Sequence, residues 1–315
     1  MRKPGVFVIL LFFLLLISCE QKEMIKEVKE SDDIYYSFKH PETGQEYQIV
    51  HAYKLYENYE EKMKEDETVR KSKLFKEEVI EQINDVCFRE GEHFIRSGEI
   101  YSIHAPEDME DIKELIKIMD EKTINSAIKE ALIKSSNYIP SKIKTNVCVF
   151  PTEADQNLPY METLGTGKIS IFYNHSYDEN MLKVGTAHEY HHSVWTERHF
   201  QEEGLETVLD YLILEGKAVM FEKLVYPDMD GTVVYFNFNK ELWKQIEPDL
   251  QKIDYSRTTQ ILNGGKQFPY SYGYSEGYNM VRTYLNKHPD LTPEEWMGLT
   301  SQEIFEEGNY IEHYQ

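Results

Sequence analysis

Basic side chains are scarce in this protein of 315 residues. It has 34 lysines and arginines against 56 aspartates and glutamates, which gives a formal net charge of −22 at pH 7. Binding to the phosphates of a nucleic acid depends on lysine and arginine, so we expect no nucleic-acid partner. An acidic surface would also be repelled by anionic lipid headgroups, although simple solubility accounts for the charge equally well.

Long apolar runs and cysteines are also few. Val6–Leu16 is a continuous apolar run, but it is too short to favour a permanent membrane span, and no later stretch is apolar enough to cross a membrane. Besides Cys19, the sequence has only Cys87 and Cys148, which could form one disulfide or stay buried and reduced. No internal repeat or low-complexity tract is apparent, so the length predicts one large domain or two closely packed lobes.

The first residues have the pattern of a targeting segment. Met1–Lys3 is a short basic start, the apolar run follows, and the motif Leu-Ile-Ser-Cys at 16–19 matches a lipobox, in which the cysteine is lipidated. We therefore predict a lipoprotein signal peptide over residues 1–18 and a lipid anchor at Cys19, which would hold the protein on the extracytoplasmic side of a bacterial membrane. A plain cleaved signal or an uncleaved anchor is the alternative, and both also lead outside the cytoplasm.

The composition divides the rest of the sequence into three parts. Residues 19–33 are almost entirely charged and polar, so we predict that the lipidated cysteine is followed by a flexible tether. Residues 34–140 open with a strand pair around a turn at 41–44 and then have the apolar spacings of a mainly helical region. Residues 141–315 contain further strands and the motifs described next.

The most informative motif is His188-Glu189-Tyr190-His191-His192, which contains the pattern H-E-x-x-H. On a helix, two histidines four residues apart stack on one face. The imidazoles of His188 and His192 can then occupy two corners of a tetrahedral Zn²⁺ site, while Glu189 can reach a zinc-activated water as a general base. The motif therefore predicts a metallohydrolase that holds one zinc ion per protein molecule.

The surroundings of this motif fit a helix that packs into the core. If residues 181–197 are helical, one apolar stripe faces the core and contains His191. We therefore predict that His191 is a packed, hydrogen-bonded structural histidine and not a ligand. Gly185 leaves the surface beside the site without a side chain, as an open catalytic zinc requires. The stripe consists of Val184, Ala187, His191, Val194 and Trp195.

Glu215 is the candidate for the third protein ligand of the zinc. It projects from the middle of an apolar face on a predicted helix over residues 205–224, where an unpaired carboxylate would be costly and a dication would compensate it. Gly216 lowers the helix propensity and is best explained by close helix packing. A frayed or shifted helix that leaves Glu215 solvated is the alternative. The apolar face consists of Leu205, Val208, Leu212 and Val219.

This combination of motifs resembles the gluzincin arrangement of thermolysin-like peptidases, in which a glutamate on a second helix completes the site. More closely, His188–His192 together with Leu214–Ala218 resembles a bacterial family of predicted zinc-dependent proteases that is catalogued as a domain of unknown function. The segment Gly273–Tyr278 also fits that family. The resemblance covers roughly the second half of the sequence. It implies an α+β, zincin-like fold with a mixed sheet, an active-site helix and a mainly helical second lobe that closes the cleft.

One position departs from the thermolysin-like pattern. Those enzymes carry an acid four residues after the third ligand, where it orients a metal-bound histidine, but this sequence has Val219 there. Another group must supply that contact, and Asp210 and Glu222 are the candidates.

The strand before the metal helix is a candidate for the rim of the cleft. Val147–Phe150 and Lys168–Tyr173 have the pattern of strands, with a turn region at 165–167 between them. In zincin folds such a strand often lies at the cleft, where its free backbone groups bind an extended peptide. By resemblance we expect Lys168–Tyr173 to form this rim, and the alternative is an interior strand of the sheet.

An aromatic, turn-rich segment follows the third-ligand helix. Peptide hydrolysis builds negative charge on the former carbonyl oxygen, and a phenol beside the zinc could stabilise it. Tyr274 is the first candidate for this donor and Tyr278, one helical turn later, is the second. Packing is the alternative role for either tyrosine, because the sequence has 23 of them.

Together, these patterns predict a lipid-anchored zinc peptidase that acts on a peptide or protein substrate. Zinc would be held by His188, His192 and Glu215, and Glu189 would move the proton. A surface lipoprotein that binds a partner or helps exported proteins fold, with zinc only for structure, is the alternative. The presence of Glu189 favours the enzyme, because a structural site has no use for a general base.

Overall fold

The computed structural model of the protein describes residues 33–65, 68–93, 103–153, 160–201 and 207–314. The predicted signal peptide, the lipid attachment at Cys19 and nearly all of the predicted tether lie outside these residues. Within the described ranges, no helix is both long enough and apolar enough to cross a membrane.

Within these ranges, five strands form one mixed sheet at the centre of the fold. They are β1 Tyr35–Lys39, β2 Glu46–Val50, β3 Thr145–Pro151, β4 Tyr160–Gly165 and β5 Lys168–Tyr173. Their order in the sheet is β1-β2-β3-β5-β4. The pairs β1/β2 and β5/β4 are antiparallel, whereas β3 runs parallel to both β2 and β5. The predicted strand pair around the turn at 41–44 is therefore confirmed.

Helices follow and surround the sheet. The α-helices are α1 Tyr56–Glu65, α2 Lys71–Phe75, α3 Glu81–Cys87, α4 Met109–Ile118, α5 Glu121–Tyr138, α6 Glu179–His199, α7 Val208–Val225, α8 Lys240–Ile246, α9 Tyr255–Asn263, α10 Tyr272–Lys287, α11 Pro293–Met297 and α12 Ser301–Gly308. Short 3₁₀ turns lie at Ala52–Leu55, Glu247–Asp249 and Tyr310–Tyr314, and Lys76–Ile80 forms a π-helical turn between α2 and α3. The described residues thus form a mixed sheet with many helices, which confirms the predicted α+β class.

The strand β5 is central, which corrects the expectation that Lys168–Tyr173 forms the rim of the cleft. It pairs with β3 on one side and β4 on the other, so both of its backbone edges are occupied. Its middle residues are buried on both faces, with Ile169 and Ile171 on one side and Phe172 on the other. The edge strand next to α6 is β4, which the hydrophobic pattern does not reveal.

The two faces of the sheet pack into different clusters. Ile169 and Ile171 join the large core that contains α5 and α6. Phe150 and Phe172 point to the opposite face and pack near Phe88, beyond the end of α3. The sheet is therefore covered on both faces, which explains why its inner strands are apolar almost without alternation.

The helix α6 starts at a strong N-terminal cap and is then buried on nearly every side. The side chain of Asp178 accepts a hydrogen bond from the backbone N–H of Met181, which satisfies one of the free donors of the first turn. Residues from Leu182 to Thr196 are buried with the single exception of Gly185. Its neighbours are α5, α7, β4 and β5, so most polar side chains of α6 depend on partners inside the protein.

The helices α7 and α10 touch at glycines. A Cβ atom at Gly216 would lie 2.1 Å from the carbonyl carbon of Gly277, and one at Gly277 would lie 1.8 Å from the carbonyl oxygen of Leu212. Neither glycine can therefore carry a side chain while the helices keep this separation. The prediction that Gly216 serves close helix packing is confirmed.

The sheet and its core are shared across the expected division of the sequence at residue 140. The strand β2 pairs directly with β3, and α5 packs against α6. A second apolar cluster lies entirely within residues 208–314 and is built mainly from helices. The division into 34–140 and 141–315 stays a prediction.

Cys87 and Cys148 form a disulfide that joins the end of α3 to β3. We expect the double replacement Cys87→Ala and Cys148→Ala to lower the free energy of unfolding by roughly 2–4 kcal/mol, because the bond closes a long loop of the unfolded protein. Urea unfolding of the oxidised protein and the variant would measure the difference. Equal unfolding midpoints with equal slopes would show that the bond adds no stability.

Candidate metal centre

His188 and His192 lie side by side on successive turns of α6. They lie four residues apart, so both rings project from one face of the helix, with ring centroids 4.8 Å apart. Both side chains are mostly buried, with 9% and 11% of their surface exposed. The helix itself therefore sets the separation of the two imidazoles.

Glu215 reaches the same point from α7. Its Oε2 atom lies 3.2 Å from Nε2 of His188 and 3.1 Å from Nε2 of His192, and the two Nε2 atoms lie 3.1 Å apart. Ligand atoms of these three residues lie within 4.8 Å of one another, and no other such group of His, Cys, Asp or Glu is found among the described residues. The structure thus brings together the three side chains that the sequence predicts as ligands.

The chemistry of this donor set fits a zinc ion. In a tetrahedral site with ligands at roughly 2.0–2.1 Å, neighbouring ligand atoms lie about 3.3 Å apart, close to the separations found here. Two imidazole nitrogens and a carboxylate oxygen that face one another need a proton or a cation between them, because their lone pairs would otherwise repel. A borderline-soft dication suits this set of two nitrogens and one oxygen.

The pKa values of His188 and Glu215 reflect their contact with each other and with their neighbours. Burial acts to lower the pKa of His188, but hydrogen bonds with Glu215 and Glu222 outweigh it and raise that pKa well above the usual range. Burial likewise acts to raise the pKa of Glu215, yet the charge of His192 and the hydrogen bonds with both histidines hold it well below its usual range. The carboxylate therefore stays ionised, and a dication would replace a proton on His188.

Glu222 orients His188 from behind. Its Oε2 atom accepts a hydrogen bond of 2.9 Å from Nδ1–H of His188, so Nε2, on the side of Glu215 and His192, is the nitrogen that would bind a cation. The same carboxylate accepts hydrogen bonds from the backbone N–H and the hydroxyl of Thr232, at 2.7 and 2.9 Å. Glu222 is only 1% exposed, so these three donors compensate a buried charge.

Of the two candidates for this orienting role, the structure places Glu222 at the histidine and Asp210 elsewhere. Glu222 lies seven residues after Glu215, about two helical turns further along the same face of α7. Asp210 instead forms a capping box with Thr207 at the start of α7 and accepts a hydrogen bond from Ser301. Val219, at the thermolysin-like position, is fully buried and has no charged group to offer the histidine.

His191 is packed in the core, as predicted, but without the predicted hydrogen bond. Its ring stacks on Trp296 at 5.7 Å between centroids and also contacts Phe221. Neither ring nitrogen has a hydrogen-bond partner within the described ranges. Burial, reinforced by the nearby His192 and Lys217, lowers the pKa of His191 well below its usual range, so the ring is neutral. Aromatic packing, not hydrogen bonding, accounts for this histidine.

Glu189 projects from α6 beside the metal ligands and meets a residue that the sequence does not indicate. The hydroxyl of Thr163 on β4 lies 2.9 Å from Oε2 of Glu189 and 2.8 Å from its backbone carbonyl oxygen. No local motif marks Thr163, because only the pairing of β4 with the sheet brings it to α6. Glu189 is 8% exposed and lines the same cavity as His188.

Tyr274 lies at the site, whereas Tyr278 does not take the alternative position. The ring of Tyr274 is 6.2 Å from that of His188, and the residue lines the cavity. Burial and the negative charges of Glu215 and Glu189 raise its pKa well above the usual range, so the phenol keeps its proton and can donate it in a hydrogen bond. Tyr278 instead packs against Phe236, under the guanidinium of Arg282.

A cavity of about 790 Å³ opens over the metal centre. It lies between β4, the first half of α6, the loop at 231–233 and the start of α10. Beside the site its wall is apolar, and a Cβ atom at Gly185 would lie 2.8 Å from the sulfur of Met161, so this glycine lets β4 approach α6. The carboxylates among the described lining residues are those of Glu189 and Glu222, and both are hydrogen-bonded.

Comparison with known proteins adds one match. Residues 124–306 match a family described as "Predicted Zn-dependent protease (DUF2268)". This range contains α6, α7 and α10, and hence every side group of the centre described above. No curated protein and no solved structure matches the sequence.

Replacing Glu222 with Gln should weaken zinc binding by roughly 10- to 100-fold, because the carboxylate would no longer accept the Nδ1–H bond as a charged partner. Competition with a chromogenic chelator would give the affinity. Glu179→Gln removes an exposed carboxylate that pairs with Lys183 on the same helix and serves as the control. Equal zinc affinities in both variants would exclude the orienting role of Glu222.

Proposed function

The protein belongs to the family of predicted Zn-dependent proteases, and from this premise we propose that it hydrolyses peptide bonds with one zinc ion held by His188, His192 and Glu215. The observation that carries the proposal is the meeting of these three side chains at one point, with Glu189 directly beside them. A purely structural zinc site takes four protein ligands, whereas three protein ligands beside a cavity are typical of a catalytic one.

The ligand set and its helices also support a gluzincin-like arrangement. Two ligands come from H-E-x-x-H on α6 and the third comes from α7, with a glycine directly after it that allows α7 to pack closely. Glu222 takes the place of the acid that thermolysin-like enzymes carry earlier on the second helix. We propose the gluzincin arrangement from this geometry and from the sequence resemblance.

The side chains around the cavity have separate parts in the proposed reaction. Zinc, when bound, supplies the Lewis acid that activates water and polarises the substrate carbonyl. Glu189 takes a proton from the attacking water and later passes it to the leaving amine. Tyr274, which keeps its proton, donates a hydrogen bond to the oxygen on which negative charge develops.

The edge of β4 is the place where an extended substrate would bind. The sheet ends at β4 in the described residues, and Tyr160 and Met161 of this strand line the cavity. A peptide that lies along β4 beyond Tyr160, whose carbonyl oxygen accepts a hydrogen bond from the hydroxyl of Tyr177, would run across the metal centre. The rim function expected of Lys168–Tyr173 thus belongs to the neighbouring strand of the hairpin.

Matched variants at Glu189 and Glu215 test the proposal. The wild-type protein should bind about one zinc ion per molecule and cleave members of a peptide library. Glu189→Gln should keep the zinc and lose roughly two or more orders of magnitude in turnover, because it removes the base without removing a ligand. Glu215→Ala should lose zinc affinity together with activity. Metal content and peptide turnover would be measured in the same preparations.

Two outcomes would contradict the peptidase proposal. If zinc-replete wild type holds no zinc, the metal site is wrong. If zinc-loaded Glu189→Gln cleaves peptides as fast as wild type, the proposed base is wrong even though the metal site stands. A zinc protein that cleaves no peptide but captures an exported protein would favour the partner-binding alternative.

We also propose that a lipid at Cys19 anchors the protein to the outer face of a bacterial membrane. The lipobox at residues 16–19 supports this proposal, and the acidic, polar stretch that follows suits a tether between lipid and domain.

Cys19→Ala should abolish incorporation of a labelled fatty acid and release the protein from the membrane fraction, because the acceptor thiol is lost. Metabolic labelling followed by fractionation would test this. Cys87 and Cys148 are paired with each other, so wild type should carry its label at Cys19. Undiminished label in the variant would exclude the anchor.

A further inference from the structure

Thr163 touches the carboxylate that the proposed reaction needs. Its Oγ1 atom lies 2.9 Å from Oε2 of Glu189, and Glu189 has no other hydrogen-bond partner for its carboxylate among the described residues. We propose that Thr163 is a positioning residue, which fixes the orientation of the Glu189 carboxylate for proton transfer. This inference rests on the proposed peptidase function.

The carboxylate is the better of the two acceptors within reach of this hydroxyl. Thr163 has one hydroxyl proton, and the backbone carbonyl oxygen of Glu189 lies at 2.8 Å, almost as near as Oε2. That carbonyl lies in the middle of α6, where it already accepts the helical hydrogen bond. An ionised carboxylate forms the stronger, charge-assisted bond, so the proton belongs on the side-chain contact.

When Thr163 holds one carboxylate oxygen of Glu189, the other oxygen stays available for proton transfer. A glutamate side chain turns about three bonds, and each staggered arrangement points the carboxylate in another direction. The hydroxyl of Thr163 holds Oε2, and Oε1 of Glu189 is then left to face the reacting water. A base that is held in one orientation needs no reorganisation at the moment of proton transfer.

The edge strand delivers this hydroxyl through its alignment with α6. Met161 contacts Gly185, and Thr163 contacts Glu189. The two strand residues are two positions apart, which spans about 6.6 Å along β4. The two helix residues are four positions apart, which spans about 6.0 Å along α6. The spacings agree closely enough for strand and helix to stay aligned over both contacts. Met161 fills the space that Gly185 leaves, and Thr163 then arrives at Glu189.

A bulge at the end of β4 fixes this alignment. Thr163 pairs with Ile169 but Gly165 pairs with Lys168, so one additional residue lies on the β4 side. Gly165 has φ of 151°, and a Cβ atom there would lie 2.6 Å from the backbone nitrogen of Glu92. Bulges of this kind turn the side chains of a strand and are common beside active sites. The bulge therefore fixes the register of β4 directly after the pair formed by Thr163 and Ile169.

The variant Thr163→Val tests the proposal, because it keeps the β-branched shape and removes the hydroxyl. We expect kcat for peptide hydrolysis to fall roughly 10- to 100-fold, with KM within about twofold of wild type, as for other groups that orient a catalytic residue. Zinc content and Tm should match wild type. Thr163→Ser restores the hydroxyl and should return kcat to within about threefold of wild type.

Thr186→Val is the matched control. Thr186 is fully buried on α6, whereas Thr163 is partly buried, and the hydroxyl of Thr186 has no hydrogen-bond partner in the described residues. The same chemical change at Thr186 should leave kcat unchanged, since no bond is lost. A crystal structure of zinc-loaded Thr163→Val should show the Glu189 carboxylate in more than one orientation, a result that does not depend on activity.

The outcomes separate this inference from the peptidase proposal. Unchanged kcat in Thr163→Val, in a wild-type background that cleaves peptides, would overturn the positioning role and leave the peptidase standing. A lower zinc content or a lower Tm in that variant would show that Thr163 supports the fold instead. The same conclusion would follow if Thr163→Ser did not recover the wild-type kcat. A zinc-loaded wild type that cleaves no peptide would overturn both.

Discussion

The constraint on which this structure depends is the burial of a helix that carries polar side chains. α6 is covered by α5, α7, β4 and β5, so its polar groups depend on partners inside the protein. Among the described residues, the hydroxyl of Thr186 and the ring nitrogens of His191 are exceptions. His188 meets Glu222, Glu189 meets Thr163, and Ser193 accepts a hydrogen bond from the backbone N–H of Gly167. His192 meets Glu215. The candidate site is therefore assembled from the partners that several separate elements bring to one helix.

Much of the site is predictable because its geometry is local. The spacing of His188 and His192 on a helix fixes their separation before any tertiary contact forms. Glu215 is recognisable because a carboxylate in an apolar helical face needs compensation, and Gly216 because a helix tolerates glycine for a packing reason. The sequence predicts one helix over residues 181–197 and another over 205–224, and both helices exist in the described ranges.

What is not predictable depends on contacts between distant parts of the sequence. The place of Lys168–Tyr173 in the sheet follows from its neighbours, and the hydrophobic pattern of a strand does not name them. Thr163 has no local signature. The sequence does not decide whether Cys87 and Cys148 form a disulfide or stay buried and reduced. The distance between two cysteines 61 positions apart is set by the fold. The pattern places His191 correctly in the core, but it does not distinguish stacking on Trp296 from hydrogen bonding.

Glu222 gives the metal centre a mechanical connection to the wall of the cleft. One carboxylate holds both His188 and Thr232, and Gly231, Thr232 and Val233 form part of the cavity lining. If the loop at 231–233 moved away, Glu222 would lose two of its three hydrogen-bond donors while still buried. Its hydrogen bond with His188 would then change in strength. Linkage is reciprocal, so a change that strengthened cation binding at His188 would also favour the position of the loop in which Thr232 contacts Glu222. A ligand in the cleft that held this loop in place would therefore also favour retention of a metal bound by His188.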